Sequence, residues 1–189
     1  FKQFPETDFE FKTKTNNIDN LLKVEGSSNI VASFSLNTRR MVSEAEEATS
    51  SIDDRFKCAK ILADHGYSIA FHFDPIFVYP GYLEEYKEIL DQIKSNIPSS
   101  KIKWISLGTF RYHPDMKDIL RNNYKNETIT KGETVLGLDN KIRYFAGDRA
   151  ETYRYFVNYF RSNYDIPVYL CMESRRVWEE SFGSLPYKI

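Results

Sequence analysis

Five short apolar or alternating runs, separated by stretches with helical spacing, constrain this chain more than any other feature. Phe9, Phe11 and Thr13 alternate with Glu10, Lys12 and Lys14, the period of a half-buried strand. Residues 30–36 read as a second strand, 69–73 as a third that Pro75 ends, 102–107 as a fourth and 168–172 as a fifth. Between them lie helical patterns. Ser51-Ile52-Asp53-Asp54 has the form of a capping box, with Ser51 accepting a backbone N–H and Asp54 reaching back. Ile52, Phe56, Ala59 and Ala63 then share one face, and Gly66 supplies a stop. A second helix carries Leu83, Tyr86, Leu90 and Ile93 and stops by Pro98. A third starts at Pro114 with Met116, Ile119 and Leu120 turned inward. A fourth covers residues 149–163, with Tyr153, Phe156, Val157 and Phe160 inward.

This alternation predicts right-handed βαβ units and a mainly parallel sheet, an α/β fold. The near-continuous apolar run at 30–36 fits a strand buried on both faces. Residues 125–145 break the rhythm with Gly132, Gly137 and an Asp139-Asn140 turn, and read as a hairpin excursion. A length of 189 residues favours a single domain spanning 1–189. The chain opens on Phe1 in mid-pattern, so it is expected to be the C-terminal portion of something longer.

Composition narrows the function classes. The formal net charge is −1, so no global basic field advertises a nucleic-acid partner. One stretch is locally basic: residues 101–131 hold seven Lys or Arg against three Asp or Glu. Two cysteines far apart in sequence, Cys58 and Cys171, form no disulfide framework and fit a reducing, cytoplasmic compartment. No segment approaches 18 consecutive apolar residues, and no basic leader precedes an apolar run. Asn126-Glu127-Thr128 matches a glycosylation triplet and is read as accidental. Aromatic residues make up 15% of the chain, a content that suits core packing first and base stacking second.

In parallel α/β sheets, ligands bind beyond the carboxyl ends of the strands. Those ends carry Lys14, then Ser35 and Asn37, then His72 and Asp74, then Ser106, Thr109 and Arg111, then Glu173 and Ser174. His72 and Asp74, two apart, share a strand face and fit an acid/base pair, metal ligands or a satisfied buried pair. Arg111 fits either an anion or an acidic neighbour, and Glu173 could cap the helix leading to Trp178. There is no G-x-G-x-x-G, no Walker loop and no C-x-x-C, and the three histidines have no ligand spacing. No residue of this chain is assigned to a metal.

At these residues a family resemblance emerges. Thr13-Lys14-x-x-Asn17-Ile18-Asp19, then Phe34-Ser35-Leu36-Asn37, then Gly66-Tyr67 before a strand ending in Pro75-Ile76, resemble the spore photoproduct lyase family of radical-SAM enzymes. The likeness continues through residues 104–109 and Arg111 to Arg143-Tyr144. It implies a partial (β/α) barrel and repair of a thymine dimer in DNA by a radical made from S-adenosylmethionine. It implies a [4Fe–4S] cluster held by a C-x-x-x-C-x-x-C motif that this chain lacks, so the chain alone is expected to be inactive. By the same resemblance Lys14 contacts the cofactor's carboxylate, and Ser35 and Asn37 contact its ribose or sulfonium. Arg143 and Tyr144 resemble a basic–aromatic pair near the DNA lesion. His72, Asp74 and Glu173 depart from the spore enzymes, which leaves open a radical-SAM enzyme with a non-DNA substrate held by these groups. A non-catalytic nucleic-acid-binding module is the third reading, resting on the basic stretch.

Overall fold

The computed structural model describes residues 3–123 and 129–183, so the glycosylation triplet lies outside the described residues. In chain order the elements are β1 (Phe9–Thr13), β2 (Ile30–Ser35), α1 (Arg39–Ala45), α2 (Ile52–Asp64), β3 (Ser68–Ile76), α3 (Tyr82–Asn96) and β4 (Ile102–Thr109). Then come β5 (Arg111–Tyr112), α4 (Met116–Asn123), β6 (Val135–Leu136), β7 (Ile142–Arg143), α5 (Ala146–Asn163), β8 (Val168–Leu170) and α6 (Arg175–Phe182).

The expected parallel sheet is present, with strand order β1-β2-β3-β4-β8. Every pairing in it is parallel, and among the described residues it stays open, with β1 and β8 as its edges. Strand alternation sends Ala32, Phe34, Ile69, Phe71, Phe73, Ile105, Leu107 and Leu170 into one apolar core. Helices α2, α3 and α5 cover that side with Ile52, Phe56, Leu62, Tyr86, Ile89, Tyr153 and Phe156. The aromatic content is spent chiefly here. Phe73 meets Phe156 at 5.2 Å and Tyr86 at 6.1 Å between ring centroids, both edge to face. The other side of the sheet carries Ser33, Ser35, His72, Trp104, Ser106 and Tyr169, aligned by register from strand to strand.

Several expectations are corrected. Pro75 does not end the third strand: β3 continues to Ile76 through a cis Asp74–Pro75 peptide, at a break in the β3–β4 register. Proline lacks the N–H that the ladder needs, so it is accommodated where pairing is already interrupted. Ser51 does cap α2, accepting from the Asp54 N–H at 3.1 Å. The Asp54 carboxylate returns to the Ser51 hydroxyl at 2.7 Å rather than to its backbone. Met116 and Ile119 are exposed rather than inward, and α4 as a whole buries no residue, so its apolar stripe has no layer packed over it. The fourth predicted helix, α5, starts three residues earlier, at Ala146. Helix α1 was not anticipated. Its single buried residue, Met41, gives no periodic signal, and it is held at its start by the Thr38 hydroxyl on the Met41 N–H. The excursion is a small antiparallel sheet in the order β5-β7-β6, turned at Asn140, which has a positive φ of 58°.

Candidate functional site

The carboxyl ends of β1, β2, β3 and β4 carry most of the polar residues singled out above, and the structure sorts them into separate clusters. In the first, the Lys14 ammonium lies 2.8 Å from Glu46 Oε1, just past α1. The other Glu46 oxygen accepts from Arg55 Nη2 at 2.6 Å. Arg55 is fully buried, and its remaining nitrogens donate to the carbonyls of Ser35 (2.9 Å) and Ser50 (3.0 Å). Burial works to raise the Glu46 carboxyl, but the Lys14 and Arg55 contacts outweigh it and hold it below the usual range. Lys14 and Ser35 are therefore linked through two residues that sequence reasoning did not single out. Lys14 remains about one-third exposed and lines a cavity of about 210 Å³ with Pro75, Phe77 and Phe110.

Asn37 is buried and committed to the fold. Its carbonyl oxygen accepts from Tyr86 Oη at 2.6 Å and the Thr38 N–H at 3.0 Å, while Nδ2 donates to the Pro75 carbonyl at 3.2 Å. It clamps the end of β2 to Pro75 of β3. One Nδ2 hydrogen is left over for any further contact.

His72 and Asp74 share a strand face, as expected, but turn to different partners. His72 Nε2 lies 2.6 Å from Glu10 Oε1, which also accepts from Ser33 Oγ at 2.5 Å and Trp104 Nε1 at 3.3 Å. Four adjacent strands thus meet at one carboxylate. Burial pushes the His72 imidazole below its ordinary pKa despite Glu10. For Glu10, burial is overcome by the Ser33, His72 and Trp104 hydrogen bonds, and the carboxyl sits lower than usual. The pair is then a neutral imidazole donating Nε2–H to a carboxylate. Asp74 instead takes Arg111, with Nη1 at 3.0 Å and Nη2 at 3.4 Å. Arg111 Nη2 also faces Cys171 Sγ at 3.6 Å, and burial with the nearby Asp74 pushes that thiol up, so it stays protonated. Gly108 leaves room for this pair: a Cβ there would lie 2.7 Å from Asp74 Oδ1, so the carboxylate would have to shift.

Glu173 is not a helix cap; Ser174 caps α6 through the Val177 N–H. Its buried carboxylate accepts from Arg149 at 3.0 Å and Tyr153 Oη at 2.8 Å, with Arg143 Nη1 at 3.7 Å. Arg143 also holds Asp139, whose carboxyl it draws down to about 2. Tyr144 is 5% exposed, its hydroxyl accepts from the Val78 N–H at 3.2 Å, and burial raises its phenol to about 12. Arg143 and Tyr144, adjacent in sequence, thus serve different clusters.

The donor set does not suit an iron–sulfur cluster. Cys58 is buried, with Sγ 3.4 Å from the Asn16 carbonyl, and Cys171 is beside Arg111. Among the described residues no three His, Cys, Asp or Glu side chains stand together as metal ligands. A ligand carboxylate does suit Lys14, a partly open cation at a cavity mouth. Among the described residues no helix is long and apolar enough to cross a membrane.

The family model for spore photoproduct lyase matches residues 1–158. Spore photoproduct lyase of Clostridium acetobutylicum is 28% identical over 137 residues, 72% of this chain and 38% of that protein. The Bacillus subtilis enzyme is 26% identical over 141 residues, 74% of this chain and 39% of that protein. The chain therefore spans about two-fifths of the length of these curated relatives. Among solved structures, a spore photoproduct lyase mutant with bound AdoMet and dinucleoside spore photoproduct superposes with a TM-score of 0.72. It is 22% identical, and the match covers 87% of this chain and 51% of that one. Another spore photoproduct lyase mutant gives a TM-score of 0.74 at 23% identity. The open five-stranded parallel sheet, its helical cover and the match over residues 1–158 lead to one assignment: the chain belongs to the spore photoproduct lyase family.

Proposed function

We propose that this chain is the cofactor- and substrate-binding portion of a radical S-adenosylmethionine enzyme that acts on a photoproduct in DNA. The observation that carries the reading is the family match over residues 1–158, which includes Lys14 at the carboxyl edge of the sheet. S-adenosylmethionine, bound together with a [4Fe–4S] cluster held elsewhere, supplies the radical chemistry in such enzymes. This chain's share is to bind and orient. Lys14 offers an ammonium to the cofactor's carboxylate, and the buried Arg55–Glu46 pair fixes where that ammonium stands. Ser35, whose carbonyl Arg55 holds, is carried at the same edge and presents its hydroxyl to the ribose or sulfonium. Asn37 acts mainly by fixing the β2–β3 ends.

On the substrate side, Arg143 and Tyr144 position the hairpin near the lesion, through Glu173 and Val78. The Asp74–Arg111 pair and His72 shape the polar face of the sheet. A cytoplasmic setting goes with this reading, since a cluster and two free thiols need a reducing environment. The test is titration calorimetry of S-adenosylmethionine into the whole protein. Lys14→Ala should weaken binding by about 1.5–3 kcal/mol, the cost of losing a charge-assisted contact. Unchanged affinity would remove Lys14 from the site and leave the cofactor reading without its anchor.

A further inference from the structure

Beside the Lys14 cavity lies a second one of about 290 Å³, at the carboxyl end of β3. The two share Phe77 and Ile129 as walls. The second cavity is lined by Phe77, Tyr79 and Tyr144 together with two cations, Arg40 and Lys131, and by no acidic side chain. Arg40 is held in place rather than free: its guanidinium carbon stands 4.7 Å over the Tyr79 ring, and its Nε donates to Glu44 at 2.9 Å. Only Nε is engaged, so among the described residues its two terminal nitrogens have no acceptor. Lys131 likewise has no acceptor among the described residues. One oriented cation, Arg40, and a second exposed one, Lys131, both with unused donors beside an apolar and aromatic lining, suit an anion joined to a flat ring.

Size decides which ligand. Pockets for drug-sized ligands run from about 300 to 1,000 Å³, so this cavity takes one nucleotide unit and not a dimer. The shared Phe77 and Ile129 set this cavity directly beside the one where Lys14 would hold the cofactor, so a nucleotide seated here lies close to the site of reaction.

Resting on the DNA reading above, we propose that this cavity binds a nucleotide flanking the photoproduct, outside the dinucleotide lesion itself. Its base lies against Phe77, Tyr79 and Tyr144, and its phosphate on Arg40 and Lys131. The cavity thereby fixes the register of the strand relative to the reacting position, using contacts that any base can make.

The experiment is fluorescence anisotropy of the whole protein with a labelled eight-nucleotide oligothymidylate across a salt series. Arg40→Gln and Lys131→Gln should each weaken binding and lower the log–log salt slope by about 0.7, one single-strand phosphate contact. Lys60→Gln, at an exposed position on α2, should change neither. An abasic oligonucleotide of the same length should bind about fivefold or more weaker. If the natural protein binds the oligonucleotide but both variants keep its affinity and slope, the cavity proposal fails while the DNA reading stands. Equal binding of the abasic strand likewise overturns it. No oligonucleotide binding at all overturns both, and the calorimetry with S-adenosylmethionine then reports separately on the cofactor reading.

Discussion

Glu46→Gln isolates what the Lys14–Glu46–Arg55 cluster contributes. Glu46 is 5% exposed at its side chain and Arg55 is 0%, whereas Lys14 is 34% exposed. The substitution keeps size and leaves the buried Arg55 guanidinium without its counter-charge. Breaking a buried pair costs about 3–5 kcal/mol. Arg55 retains Ser35 and Ser50 carbonyls and the Thr49 hydroxyl as acceptors, so the low end, about 3 kcal/mol, is expected. For a chain of this length that is roughly a 6–12 °C fall in Tm. Lys14→Met removes the partly solvated partner and should cost under about 1 kcal/mol. The Glu46 carboxyl is depressed in the fold, so its contribution is present above the unfolded carboxylate pKa and is lost as pH falls through the folded value. The gap between natural protein and Glu46→Gln should therefore close under acid conditions. Differential scanning calorimetry across pH reads both effects. A Tm drop below about 2 °C, or a Lys14→Met loss equal to that of Glu46→Gln, would refute the reasoning that burial sets the hierarchy.

Two more outcomes follow from the sheet face. His72 has a folded pKa below the ordinary imidazole value, so the unfolded chain takes up a proton that the native one refuses. Stability should decline as pH drops below about 6.5, and urea unfolding of His72→Gln, which keeps a donor but cannot titrate, should show a flatter profile there. Gly108→Ala should displace the Asp74–Arg111 pair, at a cost of about 1–3 kcal/mol in chemical denaturation, and should add little when Asp74→Ala is already present.

The sheet was legible because its strands are apolar at the spacing a two-sided core demands, and α2, α3 and α5 because their buried residues recur at helical intervals. What escaped notice has specific causes. Helix α1 buries one residue, so only its Thr38 cap could have marked it. Met116 and Ile119 follow a helical period, but period alone does not say whether a second layer lies behind the helix. In the site, position at a strand end drew attention to Lys14, Ser35, His72, Asp74 and Arg111. Their partners Glu46, Arg55 and Glu10 are distant in sequence or sit in a strand's polar alternation, where a salt-bridged carboxylate looks the same as a solvated one. His72 and Asp74 show the limit most plainly: the shared face was readable, but the divergent partners depend on which strands flank β3.

The small sheet β5-β7-β6 has strands of two residues each, too short to hold together by their own ladder. It is tied to the rest by Arg143, which reaches Glu173, and Glu173 in turn holds Arg149 and Tyr153 of α5 and, through Tyr153, the end of β4. One carboxylate therefore joins the hairpin, a long helix and a central strand into a single opening unit. Amide protons of Ile142 and Arg143 should exchange with the start of α5, at rates far slower than a solvent-facing turn of that length would show. A hairpin fastened in this way moves with the body of the protein, so whatever it meets is met by a rigid edge rather than a swinging arm.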